Sequence, residues 1–469
     1  MAIAENLAGA RKLPLTAGLQ TRLPWQALVY LLCVVTPIWF NLGPLKLSVL
    51  RLFLLVMVLP LTFQLLSGRF GRVLVTDILM FLHIMWATVA LAVNNPEQVV
   101  TQIGSVGVEF IGGYVVARAY VRTPEAFLAL CRWIVLIIMC LTPFAVYETL
   151  TGHPPLIQMI RALPGIDSVT IGHQEKRLNL HRVQATFAHP IHFGLFCSVS
   201  VALTFVALKD VMSTPARWFL ALLSGATGFL ALSSGALLAI ALQVALIAWA
   251  TVFDRIRWRW WLLLGLFALA WVVIDILSNR TPLQVFMSYA TFSAHNAYWR
   301  SIIFEWGMKS VWAHPVYGIG LNEWERPHFM HSGSMDNFWL VMAVRYGIPG
   351  FLFLAVGYAL AVFRIMRRNF DDDPILSHIR RAWVFTFLGL SFTLFTVHVW
   401  ATIYSFVFFM FGAGIWLITI PAGAHKDADP DESPRDPVPR EGGGSRFSRS
   451  PIITPAYRAR SAQTVTDTE

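Results

Sequence analysis

Charged side chains are scarce in this chain of 469 residues: only 13% are Asp, Glu, Lys or Arg, whereas 56% are apolar. Soluble domains carry about 25% charged and about 45–50% apolar residues. The shortage of charge excludes a soluble globular class and predicts an integral membrane protein. Cysteine is scarce too, and its four positions all lie in predicted apolar helices: Cys33, Cys131, Cys140 and Cys197. No Cys pair lies in a predicted outer loop, so neither a disulfide nor a CxxC metal site is predicted.

Long apolar runs are abundant, many of them near the roughly 20 residues that cross a bilayer as a helix. The alternation in segments of about ten residues that is typical of membrane barrels is missing. We therefore predict an all-α integral membrane protein with about twelve transmembrane helices. The predicted spans are residues 25–42, 47–66, 73–93, 99–119, 126–147, 190–208, 216–232, 235–253, 259–277, 337–363, 382–399 and 401–421.

Basic residues cluster in every second connection, beginning with Arg11, Lys12 and Arg22 ahead of the first span. Cytoplasmic loops carry an excess of Lys and Arg, so both termini are predicted to be cytoplasmic. Residues 1–24 are then a cytoplasmic N-terminal segment without an evident signal peptide, and residues 25–421 are a polytopic membrane domain. Two long loops of this domain, residues 148–189 and 278–336, face outward. Residues 422–469, rich in Pro, Gly and Ser, are predicted to be a disordered cytoplasmic tail.

The net charge of +10 does not indicate a nucleic-acid partner, because most Lys and Arg residues lie in short loops that the charge rule explains. The two predicted outer loops nevertheless contain basic residues, although the charge rule disfavours Lys and Arg on the outer side of the membrane. These are Arg161, Lys176, Arg177 and Arg182 in the first loop, and Arg280, Arg300, Lys309 and Arg326 in the second. An anionic ligand is a natural reason for cations on that side.

The stretch RVQATFAHPIHFG, residues 182–194, places Arg182 ahead of a short extended piece and Pro190 at the start of the sixth span. Proline is favoured in a first helical turn, where free N–H groups attract anions. Arg182 and this helix start could grip one phosphate, because a guanidinium donates two hydrogen bonds to phosphate oxygens. His189 and His192 lie at the same membrane edge. The alternative is that these side chains only anchor the helix among lipid headgroups.

Residues 297–311 have the spacing of an amphipathic helix that lies on the membrane surface. One face carries Trp299, Ile302, Ile303 and Trp306, and another carries Ser301, Glu305 and Lys309. Arg300 lies at the border of the two faces, where it could reach a lipid headgroup or a pyrophosphate. The sequence HPVYGIG follows at residues 314–320. Its glycines indicate a tight turn rather than a phosphate loop, since no GK[ST] follows.

Asp336 and Asn337 lie where the tenth span begins, and Arg345 lies about 13 Å further along the helix at ~1.5 Å per residue. A carboxylate would be repelled by pyrophosphate, so Asp336 is placed to face an acceptor hydroxyl as a general base. The alternative is that Asp336 is only a helix N-cap. His328 and His331 are nearby candidates for the same base. Within the membrane, Glu109 and Asp275 are expected to pair with Arg51 or Arg345.

These motifs and their order resemble the O-antigen ligase and polysaccharide polymerase superfamily, the Wzy-C family. The resemblance rests on R-x-x-x-T-F-x-x-P-x-x-x-G at residues 182–194, on R-(x)5-W with H-P-x-x-G-I-G at 300–320, and on D-N-x-x-L-(x)6-G-I-x-G at 336–350. It covers roughly residues 45–421. It implies a glycosyltransferase of the bacterial inner membrane whose active face is periplasmic. The implied donor is an oligosaccharide linked to undecaprenyl pyrophosphate, used without a metal or a cofactor.

The resemblance also implies site residues and partners. Arg182 and Arg300, with His189, match pyrophosphate-binding positions, and Asp336, Asn337 and His331 are the catalytic candidates. Membrane lipids, a chain-length regulator and a flippase of the same pathway are the implied partners. Ligases that use lipid A core typically carry His in place of Asp336 and often an acidic residue in place of Arg345, so a polymerase is favoured.

Two other functions stay open at this point. One is the sister enzyme, a ligase whose acceptor is lipid A core or a protein. The other is a transporter, which should place charged residues at the bilayer midplane and use discontinuous helices. The charges of this chain cluster in the outer loops instead, which favours chemistry at the membrane surface.

Overall fold

A computed structural model describes residues 22–42, 45–172, 176–279, 282, 285 and 294–421. The chain divides into two units, Met1–Ala424 and His425–Glu469, and the described residues all belong to the first. The predicted cytoplasmic tail and Arg280 lie outside the described residues.

Helices dominate the described part, and their α-helical bounds follow the apolar runs of the sequence. They are α1 Trp25–Val35, α2 Val49–Leu66, α3 Val75–Asn94, α4 Val99–Gln102, α5 Val108–Tyr120, α6 Pro124–Thr151, α7 Pro155–Arg161, α8 Pro190–Phe205, α9 Thr214–Phe229, α10 Ser234–Val252, α11 Arg259–Leu277, α12 Ala294–Ala313, α13 Phe338–Arg367, α14 Pro374–Leu394 and α15 Ala401–Gly412. Short 3-10 segments occupy Pro96–Gln98, Ala207–Asp210 and Ile415–Ile418, and a π turn at Ile103–Gly107 joins α4 to α5.

Eight helical stretches of the described part are long and apolar enough to cross a membrane. They are Val49–Leu66, Val75–Asn94, Pro96–Tyr120, Pro124–Thr151, Ser234–Val252, Arg259–Leu277, Phe338–Arg367 and Ala401–Ile418. The protein is therefore a multi-pass membrane protein. Each of the twelve predicted spans coincides with a helix, but the remaining four are shorter or less apolar. The count of twelve crossings thus stays a prediction.

Two predicted spans have the wrong bounds. The first was expected to continue to residue 42, but α1 ends at Val35 and the chain forms strands β1 (Ile38–Leu42) and β2 (Leu45–Ser48). These strands pair antiparallel, and β1 also pairs with β3 (Asp167–Ser168) in the order β2-β1-β3. The eleventh span was expected at 382–399, but α14 begins at Pro374, capped by Asp373, and ends at Leu394. Residues 395–400 are thereby free to line a cavity.

Two buried carboxylates inside the helical bundle, those of Asp77 and Glu109, are paired with arginines. Arg118 donates two hydrogen bonds to the Asp77 carboxylate, at 2.9 and 3.0 Å, and Arg51 Nε lies 2.8 Å from Glu109 Oε1. The predicted pairing of Glu109 with Arg51 is therefore confirmed, whereas Asp275 is exposed at the end of α11. Because buried charges are costly unless they are paired, these ion pairs explain why polar residues persist in apolar helices.

Candidate active site

One cavity, with a volume of about 540 Å³, gathers most of the polar side chains that the sequence singles out. Its lining comes from residues 177–191, from the connection at Ser233 and Ser234, from residues 299–336, and from residues 397–400. In the predicted topology all of these segments lie on the outer side. Arg182, His189, Arg300, His331 and Asp336 belong to the lining, whereas Asn337 does not.

The backbone beside Arg182 is held by Glu148, near the end of α6. The carboxylate of Glu148 is 3% exposed and accepts the backbone N–H of Gln184 at 2.8 Å and that of Ala185 at 2.9 Å. Ala185 has a φ of 51°, a left-handed conformation that costs energy in any residue except glycine. Charge-assisted hydrogen bonds stabilise this conformation. Glu148 therefore holds the backbone two and three residues after Arg182.

Two arginines are anchored to the short connection between α9 and α10. Arg182 Nε donates to the carbonyl of Ala231 at 3.4 Å, and Arg177 Nη1 donates to that of Leu232 at 2.8 Å. Leu232 is itself left-handed, with a φ of 46°. Burial, together with the charge of Arg177, lowers the pKa of Arg182 to about 10. Arg182 therefore remains charged at neutral pH, and a bound anion would relieve its repulsion with Arg177.

His189 is the N-cap of α8. Its Nδ1 accepts the backbone N–H of Ile191 at 3.1 Å, so a neutral ring carries its proton on Nε2. Burial and the neighbouring Arg182 and Arg177 lower the pKa of His189 to about 4. The imidazole is therefore neutral at pH 7 and could offer one N–H to an anion, but no charge.

Helix α12 confirms the predicted pattern of residues 297–311. Ile302 and Ile303 are buried, and Lys309 Nζ lies 2.8 Å from Glu305 Oε1 on the exposed face. The apolar face packs against α13, where Gly307 meets the side chain of Leu340. The face that was expected to contact lipid thus contacts the protein, which fixes α12 relative to the start of α13.

Arg300 lies at the border of these faces and lines the cavity. Its Nη1 is buried and has no hydrogen-bond partner among the residues that the structure describes. Burial lowers the pKa of Arg300, the charge of Asp336 raises it, and that of Arg177 lowers it. A buried N–H without a partner costs about 1–3 kcal/mol, and a bound anion would remove that cost.

Asp336 and Asn337 have different surroundings. Asn337 is the N-cap of α13, because its Oδ1 accepts the backbone N–H of Leu340 at 3.1 Å. The alternative in which Asp336 caps this helix is therefore wrong. Asp336 lines the cavity, and its Oδ1 accepts a hydrogen bond from the Ser334 hydroxyl at 3.1 Å. His328 and His331, the other two candidate bases, are both exposed, and His331 lines the cavity whereas His328 does not.

The glycine motif at residues 314–320 packs against a break in α13, which the sequence did not predict. Gly347 interrupts that helix with φ 73° and ψ 178°. Two backbone carbonyls next to the break accept hydrogen bonds from the glycine motif. The N–H of Ile319 donates to the carbonyl of Val344 at 2.9 Å, and the N–H of Gly320 donates to that of Arg345 at 3.0 Å. A Cβ on Gly347 would collide with the Val316 carbonyl. The interpretation of these glycines as a turn is confirmed, and the turn braces the helix that carries Asp336 at its start.

The connection from α14 to α15 adds side chains that sequence reasoning missed. His398 and Trp400 line the cavity, and the backbone N–H of Phe338 donates to the Val397 carbonyl at 3.0 Å. His398 Nδ1 is buried without a partner in the described part of the chain. The apolar run at 382–399 hid His398 in a predicted span, and Trp400 lies between that span and the next. Arg177 was also missed as a lining residue, although its position in an outer loop was a usable signal.

The lining combines three guanidiniums, those of Arg177, Arg182 and Arg300, with the Asp336 carboxylate. Such a cavity can bind an anion with about two negative charges and can accept a proton beside it. Among the residues that the structure describes, no three His, Cys, Asp or Glu side chains form a set able to hold a metal ion.

Residues 219–355 match the family model described as O-antigen ligase, Wzy_C. The match contains the motifs at 300–320 and 336–350, while Arg177, Arg182 and His189 lie ahead of it. The resemblance inferred from the sequence motifs is therefore confirmed, and it supports glycan transfer on lipid-linked substrates at the level of the family. A comparison with curated proteins found no match.

Proposed function

We propose that this protein is a polysaccharide polymerase at the periplasmic side of the bacterial inner membrane. It transfers a growing glycan from undecaprenyl pyrophosphate to a hydroxyl of another lipid-linked repeat unit. The observation that carries the proposal is the meeting of three guanidiniums and one carboxylate in one cavity. The family match supports a lipid-linked glycan as the substrate, and the cavity contains groups that suit such a substrate.

The charges of the cavity suit a pyrophosphate that joins a lipid to a sugar. Such a diester carries two negative charges. Three arginines and one aspartate contribute a formal charge of +2 to the lining. Arg300 Nη1 is buried and has no partner in the part of the chain that the structure describes, and Arg182 Nε donates to the Ala231 carbonyl. Both guanidiniums therefore provide preorganised donors for the phosphate oxygens. This account requires no metal to neutralise the leaving group.

The proposed reaction uses Asp336, which lines the cavity, as its general base. Its carboxylate removes the proton of an acceptor hydroxyl, the hydroxyl oxygen forms a bond to C1 of the donor sugar, and the bond from C1 to the pyrophosphate oxygen breaks. The pyrophosphate keeps the electron pair, and C1 inverts. As the leaving group gains one negative charge, Asp336 loses one by protonation, so the arginines face an anion of matching charge.

Transfer to lipid A core, or to a protein, is the second candidate, because the matched family model is described as O-antigen ligase. Asp336 and Arg345 favour the polymerase, since ligases typically carry other residue types at these positions. The break at Gly347 does not favour a transporter: the carbonyls of Val344 and Arg345 already accept hydrogen bonds from residues 319 and 320.

Purified protein in vesicles that contain lipid-linked repeat units tests the proposal. A polymerase forms a ladder of chains on the lipid carrier when lipid A core is absent. A reaction that occurs only after lipid A core is added would identify a ligase instead. Release of free carrier in step with each added unit is the quantitative readout of the transfer.

A further inference from the structure

A second depression, with a volume of about 400 Å³, adjoins the cavity. It is lined by Glu323, Trp324, Arg326, Pro327, His328, Met330 and His331. Met330 and His331 also line the cavity that holds Asp336. A ligand in this depression would therefore have one end at the shared rim, beside the candidate general base.

The loop that forms the depression is stabilised by hydrogen bonds between its own residues. Trp324 is 7% exposed, and its Nε1 donates to the Gly333 carbonyl at 3.0 Å. Arg326 Nε donates to the Met330 carbonyl at 3.2 Å, and Met330 N–H donates to the Pro327 carbonyl at 2.8 Å. These contacts preorganise the polar groups of the loop.

The charges of the depression differ from those of the cavity. Arg326 Nη2 lies 2.9 Å from Glu323 Oε2, so the two charges cancel, whereas the cavity has a net charge of +2. Glu323 remains 83% exposed, and His328 is exposed as well. A neutral set of acceptors and donors suits hydroxyl groups, because a carboxylate can accept hydrogen bonds from neighbouring hydroxyls while a guanidinium donates to others.

We propose that this depression, formed by residues 323–331, binds the uncharged sugar of the acceptor glycan and presents its hydroxyl to Asp336 across the rim at His331. The inference rests on the proposed function, because it assigns the acceptor to one site and the pyrophosphate donor to another. It explains why a polar depression, in which the charges of Glu323 and Arg326 cancel, lies next to a cavity lined by three arginines.

Binding of an acceptor that cannot act as a donor tests this assignment. The probe is the repeat-unit oligosaccharide, released by mild acid from the lipid-linked units that a deletion strain accumulates. Its affinity is measured on the full chain in nanodiscs. Glu323→Gln and His328→Ala should each weaken binding, by about tenfold for Glu323→Gln, because one charge-assisted hydrogen bond is lost. His328→Ala leaves the ion pair between Glu323 and Arg326 intact.

Two variants serve as controls. Glu325→Gln changes an exposed neighbour outside the lining and should bind within about twofold of the wild type. Arg300→Ala should bind the oligosaccharide like the wild type but should bind inorganic pyrophosphate more weakly. The inference is wrong if either lining variant binds like the wild type, if Glu325→Gln weakens binding equally, or if Arg300→Ala abolishes oligosaccharide binding.

Failure of the proposed function gives a different result. A deletion strain that accumulates no lipid-linked units would show that the chain does not elongate them, and the inference would fall with that function. A strain that accumulates them, combined with wild-type affinity in Glu323→Gln, overturns the acceptor site alone.

Discussion

Asp336 and Asn337 are neighbours in the sequence, yet they face different partners. The Asn337 side chain accepts the backbone N–H of Leu340 at 3.1 Å and begins α13, while the Asp336 carboxylate lines the cavity beside Ser334. The cap leaves Asp336 free of a structural role in the helix. In our account, Asn337 positions the general base and Asp336 acts as the base.

Exchanging amide and carboxylate at these two positions should have opposite effects. Asp336→Asn removes the base and should abolish chain elongation, while the protein accumulates normally. Asn337→Asp keeps a good capping group and should retain activity, because Asn and Asp cap helices about equally well. Quantified glycan ladders at matched protein levels distinguish the two. Equal losses of chain elongation in both variants would contradict the separate roles of Asp336 as base and Asn337 as helix cap.

A histidine in place of Asp336 should change the pH dependence of the reaction. Carboxylates in general titrate near about 4 and imidazoles near about 6.5, and a base must be deprotonated to act. The acidic limb of the rate profile should therefore move to higher pH in Asp336→His. An acidic limb at the same pH in the wild type and in Asp336→His would contradict the assignment of Asp336 as the base.

Each arginine of the cavity should contribute to donor binding. Arg177→Ala, Arg182→Ala and Arg300→Ala should lower kcat/KM for the lipid-linked donor by about ten- to hundredfold, or ~1.5–3 kcal/mol, because each removes charge-assisted hydrogen bonds. Lys309→Ala is the matched control, since its ammonium pairs with Glu305 on the exposed face of α12. A wild-type value for Arg177→Ala would exclude it from the donor site.

Glu148 should act through the backbone next to Arg182. Glu148→Gln leaves one side-chain oxygen for two buried N–H groups, those of Gln184 and Ala185. We expect a loss of about 1–3 kcal/mol in the free energy of unfolding and a lower kcat/KM. Thermal unfolding in detergent and donor titration measure the two effects. Unchanged stability would show that these hydrogen bonds do not hold the segment.

The glycine at the break of α13 should tolerate no side chain. Gly347→Ala places a Cβ against the Val316 carbonyl at a positive φ, so the variant should fail to accumulate in the membrane or lose activity. Gly265→Ala is the control, because nothing lies within 4 Å of a Cβ at that position. Normal accumulation and activity of Gly347→Ala would show that the contact between the turn at residues 314–320 and the break in α13 is not required.

The sequence predicted what depends on local chemistry. Hydropathy located the helical segments, spacing identified the buried face of α12, and the polar motifs pointed to Arg182, Arg300 and Asp336. These features follow from residue type and periodicity alone.

The features that the sequence did not predict depend on tertiary contacts. The roles of Asp336 and Asn337 could not be separated, because both residue types cap helices and only the fold decides which one does. The break at Gly347 requires a loop from another part of the chain, and Leu232 adopts an unfavourable φ of 46° that no local rule assigns to leucine. His398 was hidden because an apolar run does not show where its helix ends.

The most direct test of the central claim is the glycan profile of a deletion strain complemented with wild type, Arg300→Ala or Asp336→Ala. The account predicts that the deletion and both variants accumulate single lipid-linked repeat units, with the variant proteins present in the membrane, while the wild type restores long chains. Long chains that persist on their lipid carrier would indicate a ligase. Glycans that are unchanged in the deletion strain would contradict the account.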